Sequence, residues 1–300
     1  MMFTPVHYYQ CPACGSDKIE YALTAKDHTV SHINFDIWHC HACSIRFTQD
    51  VPGIDQIGPY YQSANYISHS NTKKGLINQL YHLVRTYTLG LKAKQIKQIT
   101  GMATGRLLDI GAGVGAFAAT MQQSGWEVMA LEPDATARAA AKQTYGIDLS
   151  LPDTLYTISE ETIDVITMWH VLEHVHDLQG YFQNFHRILP TNGKLVIAVP
   201  NYTSDDASLY GAFWAAYDVP RHLYHFSPTA MQQLAAKHGF SMITTKQMWF
   251  DAFYVAMLSE QYQNGKTRYL SAFWQGLRSN FSALFQSKKC SSVVYVLQKN

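Results

Sequence analysis

The chain of 300 residues lacks the features that would direct it to a membrane, a secretory route or a polyanion. Its apolar runs fall short of the about eighteen residues that a membrane-spanning helix needs. Met1–Gln10 hold no basic start followed by an apolar block. The formal net charge is only +1, so no broad attraction to nucleic acid or anionic lipid is expected. Repeats and low-complexity tracts are also missing. These absences favour a cytoplasmic protein with a small-molecule substrate and leave its oligomeric state open.

Three alternating glycines follow an apolar run that begins at Arg106. The segment reads Arg106-Leu-Leu-Asp-Ile-Gly-Ala-Gly-Val-Gly-Ala-Phe117 and predicts a strand that turns tightly into a helix. Gly111, Gly113 and Gly115 have no Cβ atom to keep a ligand off the backbone, and the N–H groups of the next helix face that ligand. The spacing differs from the Gly-x-Gly-x-x-Gly of dinucleotide sites, which favours a nucleoside ligand without phosphates.

A second acidic residue and an alternation of strands and helices follow this turn. Glu132 ends an apolar segment about twenty residues beyond Gly111, where a carboxylate binds the hydroxyls of a ribose. The alternation predicts an α/β fold with a mostly parallel sheet, helices on both faces and a ligand beyond the carboxyl ends of the strands. After the strand at Arg106, the predicted strands are 127–131, 147–149, 164–168 and 194–199, and the predicted helices are 76–99, 114–124, 135–144 and 178–188.

With these motifs the chain resembles the class I S-adenosylmethionine-dependent methyltransferases, in a family with ubiquinone-pathway and sugar-modifying members. The resemblance extends through residues 163–168, 169–175 and 189–201. It implies a Rossmann-like sheet of seven strands with the last strand antiparallel, which places the sixth strand at 241–248 and the seventh at 292–297. It also implies that Asp109 lies near the methionyl amine of S-adenosylmethionine, that Glu132 binds the ribose, and that Trp169 belongs to the same cofactor site.

Four of the five cysteines form two Cys-x-x-Cys pairs, Cys11/Cys14 and Cys40/Cys43. Two such pairs bind one tetrahedral zinc ion. Disulfides are disfavoured in a reducing compartment, and neither pair opens a strand-helix-strand unit as a redox pair would. Because the protein supplies all four ligands, the zinc is expected to be structural. The pattern therefore predicts a zinc-ribbon module over residues 1–55.

An aromatic connector and a lead-in helix are predicted over residues 56–100, followed by the methyltransferase domain over 101–300 with a substrate-side insert near 202–227. In related small-molecule methyltransferases, tyrosines just before the catalytic domain close over the cofactor. The resemblance therefore assigns Tyr61 and Tyr66 to the cofactor site, with ordinary packing of an interdomain loop as the other interpretation.

Candidate proton acceptors follow the fourth and fifth predicted strands. His170, Glu173 and His174 form a His-x-x-Glu-His pattern. Related quinone-ring O-methyltransferases have a Glu-His pair there with which a divalent ion is associated, but His170 stands where they have an acid. Transfer of a methyl group to a hydroxyl or carbon requires a base. His222, in the insert, is the first candidate and His170 the second; hydrogen bonding within the loop is the alternative role of His222.

The sequence thus predicts an O- or C-methyltransferase that uses S-adenosylmethionine and holds a structural zinc. An aromatic cleft, suited to a ring, sugar or isoprenoid-type acceptor, is predicted from Phe213, Trp214, Tyr217, Trp249 and Phe250. The main alternative is an RNA base methyltransferase whose zinc ribbon binds RNA. The low net charge and the lack of an Asn/Asp-Pro-Pro-Tyr turn oppose it. A non-enzymatic adaptor is disfavoured because Asp109, Glu132 and the glycines are intact.

Overall fold

The structure is a computed structural model that describes residues 5–62, 76–285 and 289–300. Its strands are β1 (Pro5–Val6), β2 (Ile19–Lys26), β3 (Asn34–Cys40), β4 (Arg46–Thr48), β5 (Val51–Pro52), β6 (Arg106–Ile110), β7 (Glu127–Leu131), β8 (Val165–Trp169), β9 (Lys194–Pro200), β10 (Tyr224–His225), β11 (Phe240–Gln247) and β12 (Ser292–Lys299). Its α-helices are α1 (Leu76–Thr100), α2 (Ala116–Gln123), α3 (Ala135–Tyr145), α4 (Leu178–Ile188), α5 (Asp205–Tyr210), α6 (Pro228–Lys237), α7 (Asp251–Asn264) and α8 (Tyr269–Phe285). No helix in these ranges is long and apolar enough to cross a membrane.

The chain divides into two compact units that interleave in sequence. The first unit comprises Met1–Asn65, His170–Phe182 and Ile197–Leu297, and the second comprises Tyr66–Trp169, Gln183–Val196 and Gln298–Asn300. Strand β9 is therefore shared, with its first three residues in the second unit and its last four in the first. The domain boundaries derived from the sequence run linearly along the chain and stay a prediction.

The second unit contains the parallel sheet that the sequence predicts. Its strand order is β9-β8-β6-β7, and β6 pairs in parallel with both β7 and β8. The side chains of Leu107, Leu108 and Ile110 are all buried. Such a continuous apolar run is typical of a strand that is covered on both faces.

The strand predicted at 147–149 is wrong, because the chain there forms a single bridge between Leu131 and Ser150. Gly146 ends α3 in a left-handed conformation, and Pro152, which has no N–H to donate, begins a 3-10 helix. Of the five residues between them, only Ser150 pairs with the neighbouring strand. The sheet therefore has six strands and this bridge in the described residues, where the resemblance implied seven strands.

The first unit contains the strand order β11-β12-β9. The N–H of Asn201, just after β9, donates to the carbonyl of Ser291, just before β12, at 2.8 Å. The N–H of Met248, just after β11, donates to the carbonyl of Ser292 at 3.3 Å. The end of each neighbouring strand thus lies beside the start of β12, so β12 runs antiparallel to both, as expected of the last strand.

A separate sheet of the first unit has the strand order β10-β4-β3-β2, and Cys40 ends its strand β3. Cys11, Cys14 and Cys43 lie in turns outside these strands. Strands β2 and β3 form an antiparallel hairpin in which Ile19 is opposite Cys40. Strand β4 pairs with β3 on one side and with β10 on the other, where Phe47 is opposite Tyr224. Residues 224–225, within the segment predicted as a substrate-side insert, therefore complete the N-terminal sheet.

Two aromatic residues of the predicted cleft belong instead to the core of the first unit, so this part of the prediction is wrong. Trp214 and Tyr217 are buried together with Phe35 and Ile37 of β3. The indole N–H of Trp214 donates to Asp206 at 2.8 Å, and the hydroxyl of Tyr217 accepts from Arg46 at 2.9 Å. Large aromatic side chains contribute most to stability when buried with their polar edge bonded.

Candidate functional site

The glycine turn joins β6 to α2 in the second unit. Gly111, Gly113 and Gly115 have φ angles of +70°, +54° and +75°, which side chains with a Cβ adopt only at a cost. A Cβ atom on Gly113 would meet no atom of the described chain within 4 Å, whereas one on Gly115 would lie 3.0 Å from Cβ of Ala141. Gly113 therefore borders open space that a ligand can fill, and Gly115 allows α2 to pack against α3.

Glu132 follows β7 and fixes the glycine turn. One carboxylate oxygen accepts from the N–H of Gly113 at 2.8 Å, and the other accepts from the N–H of Asp134 at 2.9 Å. The residue is only 7 % exposed. A carboxylate has about four acceptor positions, so each oxygen keeps one position for a further donor. Glu132 is thus a rigid, charged acceptor beside the open face of Gly113.

Asp109 lies near the end of β6, with its side chain buried. The hydroxyl of Thr167, on the neighbouring strand β8, donates to its carboxylate at 2.7 Å. Burial raises the pKa of Asp109 to about 7, although the hydrogen bond from Thr167 and the positive charge of Lys92 oppose that effect. A buried carboxyl with a pKa near neutrality is a group that a cationic ligand would convert to the charged form.

Trp169 ends β8 in the same unit. Its ring contacts Phe117 edge-to-face with 5.4 Å between ring centroids, and Nζ of Lys92 lies 4.0 Å from the centre of its indole ring. The indole Nε1 is buried and finds no hydrogen-bond acceptor among the residues that the structure describes. Buried N–H groups rarely stay unpaired, so a ligand acceptor beside Trp169 would satisfy this donor.

These features fit a nucleoside with free ribose hydroxyls. The open face of Gly113 admits the ligand, Glu132 offers fixed acceptor positions, and Nε1 of Trp169 offers an unpaired donor. Asp109 supplies a carboxyl that a cationic group would ionise.

A histidine and glutamate cluster lies in the first unit. One ligand atom from each of Glu173, His174 and His222 lies within 4.8 Å of the others. Nδ1 of His174 donates to the carbonyl of Arg221, and Nδ1 of His222 donates to the carbonyl of Ala216, both at 2.9 Å. With Nδ1 engaged in this way, Nε2 is the nitrogen of each ring that can accept a proton or bind a metal.

The protonation of this cluster follows from its burial. Burial lowers the pKa of His174 to about 4, so that ring is neutral at physiological pH. The carboxylate of Glu173 is buried and has no hydrogen-bond partner within the described ranges. Burial raises the pKa of Glu173, but its pairing with His170 outweighs burial and the pKa is lower than usual. An ionised carboxylate beside two histidine rings is a set that can hold a divalent cation or move a proton.

His170, the other candidate base, is paired with carboxylates. Its Nε2 lies 2.8 Å from a carboxylate oxygen of Asp251, and its Nδ1 lies 3.5 Å from Glu173. Burial opposes the charged ring, but these two acids outweigh burial and raise the pKa of His170 to about 10. At neutral pH the ring therefore carries a proton and stabilises the charge of its partners.

The other polar residues of the insert position the loop that carries His222. Arg221 is buried; it donates from Nε and Nη2 to Asp218 and from Nη1 to the carbonyl of Tyr60 at 2.8 Å. The hydroxyl of Thr48 donates to the carbonyl of His222 at 2.7 Å and lies 3.0 Å from Nε2 of His225. The ring of His225, on β10, is thus held by Thr48 of β4. Nε2 of His222 makes none of these bonds and lies 3.9 Å from a carboxylate oxygen of Asp218.

The four predicted zinc ligands converge in the first unit. Sγ of Cys11 lies 3.6 Å from Sγ of Cys43, and Sγ of Cys14 lies 3.6 Å from Sγ of Cys40. Tetrahedral zinc with Zn–S bonds of about 2.3 Å places its sulfurs about 3.8 Å apart, so the cluster could hold one ion. Each pair ends in a tight turn in which Gly15 or Ser44 takes a left-handed conformation.

The residues predicted to bind the cofactor are divided between the two units. Six predicted cofactor residues lie in the second unit, namely Asp109, Gly111, Gly113, Gly115, Glu132 and Trp169. Tyr61 lies in the first unit, where its hydroxyl oxygen is 3.2 Å from Nδ1 of His174. Tyr66 lies outside the described residues.

Sequence reasoning missed Lys92, Thr167 and Asp251. Lys92 belongs to a basic helix face that the sequence alone cannot distinguish from a solvated one, and Asp251 meets His170 only through tertiary structure. Thr167 could have been found, because it is a polar residue inside an apolar strand.

Comparison with known proteins gives one family. The model of the methyltransferase domain family matches residues 85–245. A ubiquinone biosynthesis O-methyltransferase of Rhodopseudomonas palustris is 29 % identical over 166 residues, which is 52 % of this chain and 64 % of the relative. The corresponding protein of Rickettsia conorii is 27 % identical over 170 residues, or 54 % of this chain and 58 % of the relative. This chain thus spans less than two thirds of the length of these relatives.

Among solved structures, a geranyl diphosphate C-methyltransferase from Streptomyces coelicolor, solved with Mg²⁺, geranyl diphosphate and S-adenosylhomocysteine, superposes with a TM-score of 0.51. The alignment covers 77 % of this chain and 89 % of that chain at 12 % identity. At this identity the likeness concerns the fold.

Proposed function

The chain belongs to the methyltransferase domain family, and from this premise we propose that it transfers a methyl group from S-adenosylmethionine to a small molecule. The acceptor is a hydroxyl or carbon of a ring, sugar or isoprenoid-type compound. The names of the relatives, which are O-methyltransferases of ubiquinone biosynthesis, favour a hydroxyl on a ring.

The fixed carboxylate of Glu132 beside the open glycine turn is the observation that carries this proposal. Glu132 would hold the ribose hydroxyls, Asp109 the methionyl amine, and Nε1 of Trp169 a further acceptor of the cofactor. The bound cofactor supplies an electrophilic methyl group on a sulfonium. The residues of the chain bind and orient the two reactants, which is the main source of rate in a bimolecular transfer.

A hydroxyl acceptor must lose its proton, and we assign that step to Nε2 of His222. Its Nδ1 is fixed by a backbone carbonyl, as in a base whose tautomer is set by its neighbours. His170 is the second candidate; its pairing with Asp251 means that it would have to lose a proton before it could accept one.

The cysteine cluster is assigned one structural zinc, because the protein fills all four ligand positions. Its sheet includes β10, so in this proposal the metal stabilises the loop that carries His222. The alternative of an RNA base methyltransferase is not favoured, since the relatives named above act in ubiquinone biosynthesis. We place the protein in the cytoplasm, where thiols stay reduced.

Calorimetric titration with S-adenosylhomocysteine tests the cofactor assignment, with NAD as the matched ligand that carries a pyrophosphate. We expect saturable 1:1 binding of S-adenosylhomocysteine and none of NAD. Radiolabelled methyl transfer from S-adenosylmethionine to catechols, sugar nucleotides and prenylated phenols then identifies the acceptor class. A folded protein that binds no S-adenosylhomocysteine would overturn the proposal. One that methylates RNA and no small molecule would overturn the acceptor assignment.

A further inference from the structure

Helix α8 presents an exposed apolar face that the proposed methyl transfer does not use. Leu270 is 81 % exposed and Trp274 is 67 % exposed. Tyr269, Phe273 and Leu277 are exposed as well. Because these residues recur at intervals of three and four, they lie on one side of the helix. Large exposed apolar groups that form a contiguous patch mark an interaction surface.

The other side of α8 is firmly packed within the first unit. Ala272 is fully buried, and a Cβ atom on Gly276 would lie 2.5 Å from the ring of Phe253 on α7. The hydroxyl of Ser279 donates to buried Asp206. The orientation of α8 is therefore fixed by close contact through small residues, and its apolar side faces outward as a consequence.

The segment of sequence that contains this helix is rich in basic residues. Residues 261–300 contain six of the 23 Lys and Arg residues and none of the 22 Asp and Glu residues, so residues 1–260 hold 17 basic and 22 acidic ones. Lys266, Arg268 and Arg278 are exposed beside or on α8. The acids Glu260 and Asp206 are buried and accept hydrogen bonds from serines of α8. Lys299 is buried and donates to the carbonyl of Leu189. The exposed positive charge beside the apolar face therefore comes from Lys266, Arg268 and Arg278.

We propose that α8 docks on the surface of an anionic lipid bilayer, with Leu270 and Trp274 entering the boundary of the acyl chains and the basic residues facing the headgroups. An apolar face with Trp and Leu beside Lys and Arg is the pattern of a helix that lies in the membrane interface. Trp and Tyr prefer the level of the headgroups. A second copy of the chain could cover the apolar side chains, but it would gain nothing from a cationic excess.

This inference does not depend on methyl transfer. Asp205 lines the same surface cavity as Arg278 and offsets part of its charge. The main electrostatic contribution is therefore expected from Lys266 and Arg268. Each basic residue near an anionic surface contributes about fivefold to the partition coefficient, and salt screens that contribution.

Sedimentation of the full chain with vesicles tests the proposal. We expect binding to phosphatidylcholine vesicles that contain about 30 mol % phosphatidylserine, weak binding to phosphatidylcholine alone, and release at high salt. An apolar variant, a charge variant and a charge-matched control separate the contributions. They are Leu270→Ser/Trp274→Ser, Lys266→Gln/Arg268→Gln/Arg278→Gln, and Lys18→Gln/Lys26→Gln/Lys94→Gln.

We expect the charge variant to bind anionic vesicles about 30- to 100-fold more weakly, whereas the control, which loses three exposed lysines elsewhere, stays within about threefold of the parent chain. The apolar variant should lose binding at least tenfold. All variants should bind S-adenosylhomocysteine with the affinity of the parent chain. If the parent chain does not bind it, their melting temperatures should equal that of the parent chain. No binding of the parent chain to anionic vesicles overturns the proposal, as does an equal loss in the control. Self-association that the apolar variant abolishes, without vesicle binding, would assign the face to a second copy.

Discussion

Replacing Glu132 by glutamine preserves the shape of the side chain and removes its charge at the point where the cofactor ribose is assigned. In the parent chain both oxygens accept from backbone N–H groups, of Gly113 and Asp134. The glutamine amide can keep an oxygen at only one of these positions, so an NH₂ group must face an N–H group at the other. The variant therefore weakens both the glycine turn and the ribose contact.

The size of the effect follows from these bonds. A hydrogen bond to a charged acceptor contributes about 1.5–3 kcal/mol, and one between neutral groups contributes about 0.5–1.5 kcal/mol. If one ribose hydroxyl exchanges a charged acceptor for a neutral one and the other loses its acceptor, the binding free energy falls by about 2–4 kcal/mol. The Kd for S-adenosylhomocysteine should then rise by about 30- to 700-fold.

Calorimetric titration of the parent chain and Glu132→Gln measures this directly. Glu127→Gln is the matched control, because Glu127 begins the same strand, β7, and is exposed. A 2′-deoxyribose analogue of the ligand completes a double-mutant cycle, and the penalty of Glu132→Gln should shrink with it. A folded Glu132→Gln variant with affinity within threefold of the parent chain would refute the ribose assignment. An undiminished penalty with the deoxy analogue would show that Glu132 acts through the turn.

Further predictions concern the metal, the base and two titrating groups. Cys40→Ser should reduce zinc from one equivalent per chain to below about a tenth by elemental analysis and expose the N-terminal sheet to protease. His222→Gln should lower kcat at least a hundredfold while the Kd of S-adenosylhomocysteine stays unchanged. NMR titration should show His170 protonated up to a pKa of about 10. That pKa exceeds the unfolded value of about 6.5, so the pairing stabilises the fold fully below pH 6.5 and this stabilisation is lost as pH rises through 10. Asp251→Asn should therefore lower the free energy of unfolding less at high pH than at neutral pH. Cofactor affinity should be highest between pH 7, near the pKa of Asp109, and about pH 8, near the pKa of an α-amine. In Asp109→Asn, the affinity should no longer fall as the pH drops below 7.

Controls distinguish these outcomes from general damage. Cys290→Ser changes a buried cysteine outside the cluster and should leave zinc content unchanged. His7→Gln repeats the histidine change at a partly exposed position and should leave kcat unchanged. Full zinc content in Cys40→Ser, or full activity in His222→Gln, would remove the corresponding assignment. A neutral-range titration of His170 would contradict its pairing with Asp251.

The parallel sheet could be predicted because its signals are local. Strand β7 and helix α4 have the predicted bounds, since an apolar strand and a helix with an apolar stripe are each readable within about a dozen residues. The strand expected at 147–149 failed for the opposite reason. Its pattern was apolar enough, but whether five residues between a helix end and Pro152 form a ladder depends on the geometry of the neighbouring strand.

In the candidate site, too, features with a local sequence signal could be predicted and features that depend on tertiary contacts could not. The glycine turn and the cysteine pairs are defined by spacing, and the structure brings each set together. The roles of Trp214 and Tyr217 depend on which face of the insert is buried, and the partner of His170 lies 81 residues away in the chain, on α7. Such contacts have no periodicity to indicate them.

The pairing of β4 with β10 has a consequence for synthesis on the ribosome. Phe47 lies 177 residues before Tyr224, its partner in the sheet. At a translation rate of about 5–20 residues per second, the nascent N-terminal sheet waits about 9–35 s for its edge strand. During that interval β4 offers unpaired backbone groups to other growing chains. The cysteine cluster is complete by residue 43, so zinc capture can close the β2–β3 hairpin early in translation. If the cluster binds the proposed zinc, zinc shortage would therefore harm newly made polypeptides, through aggregation, before it harmed finished protein.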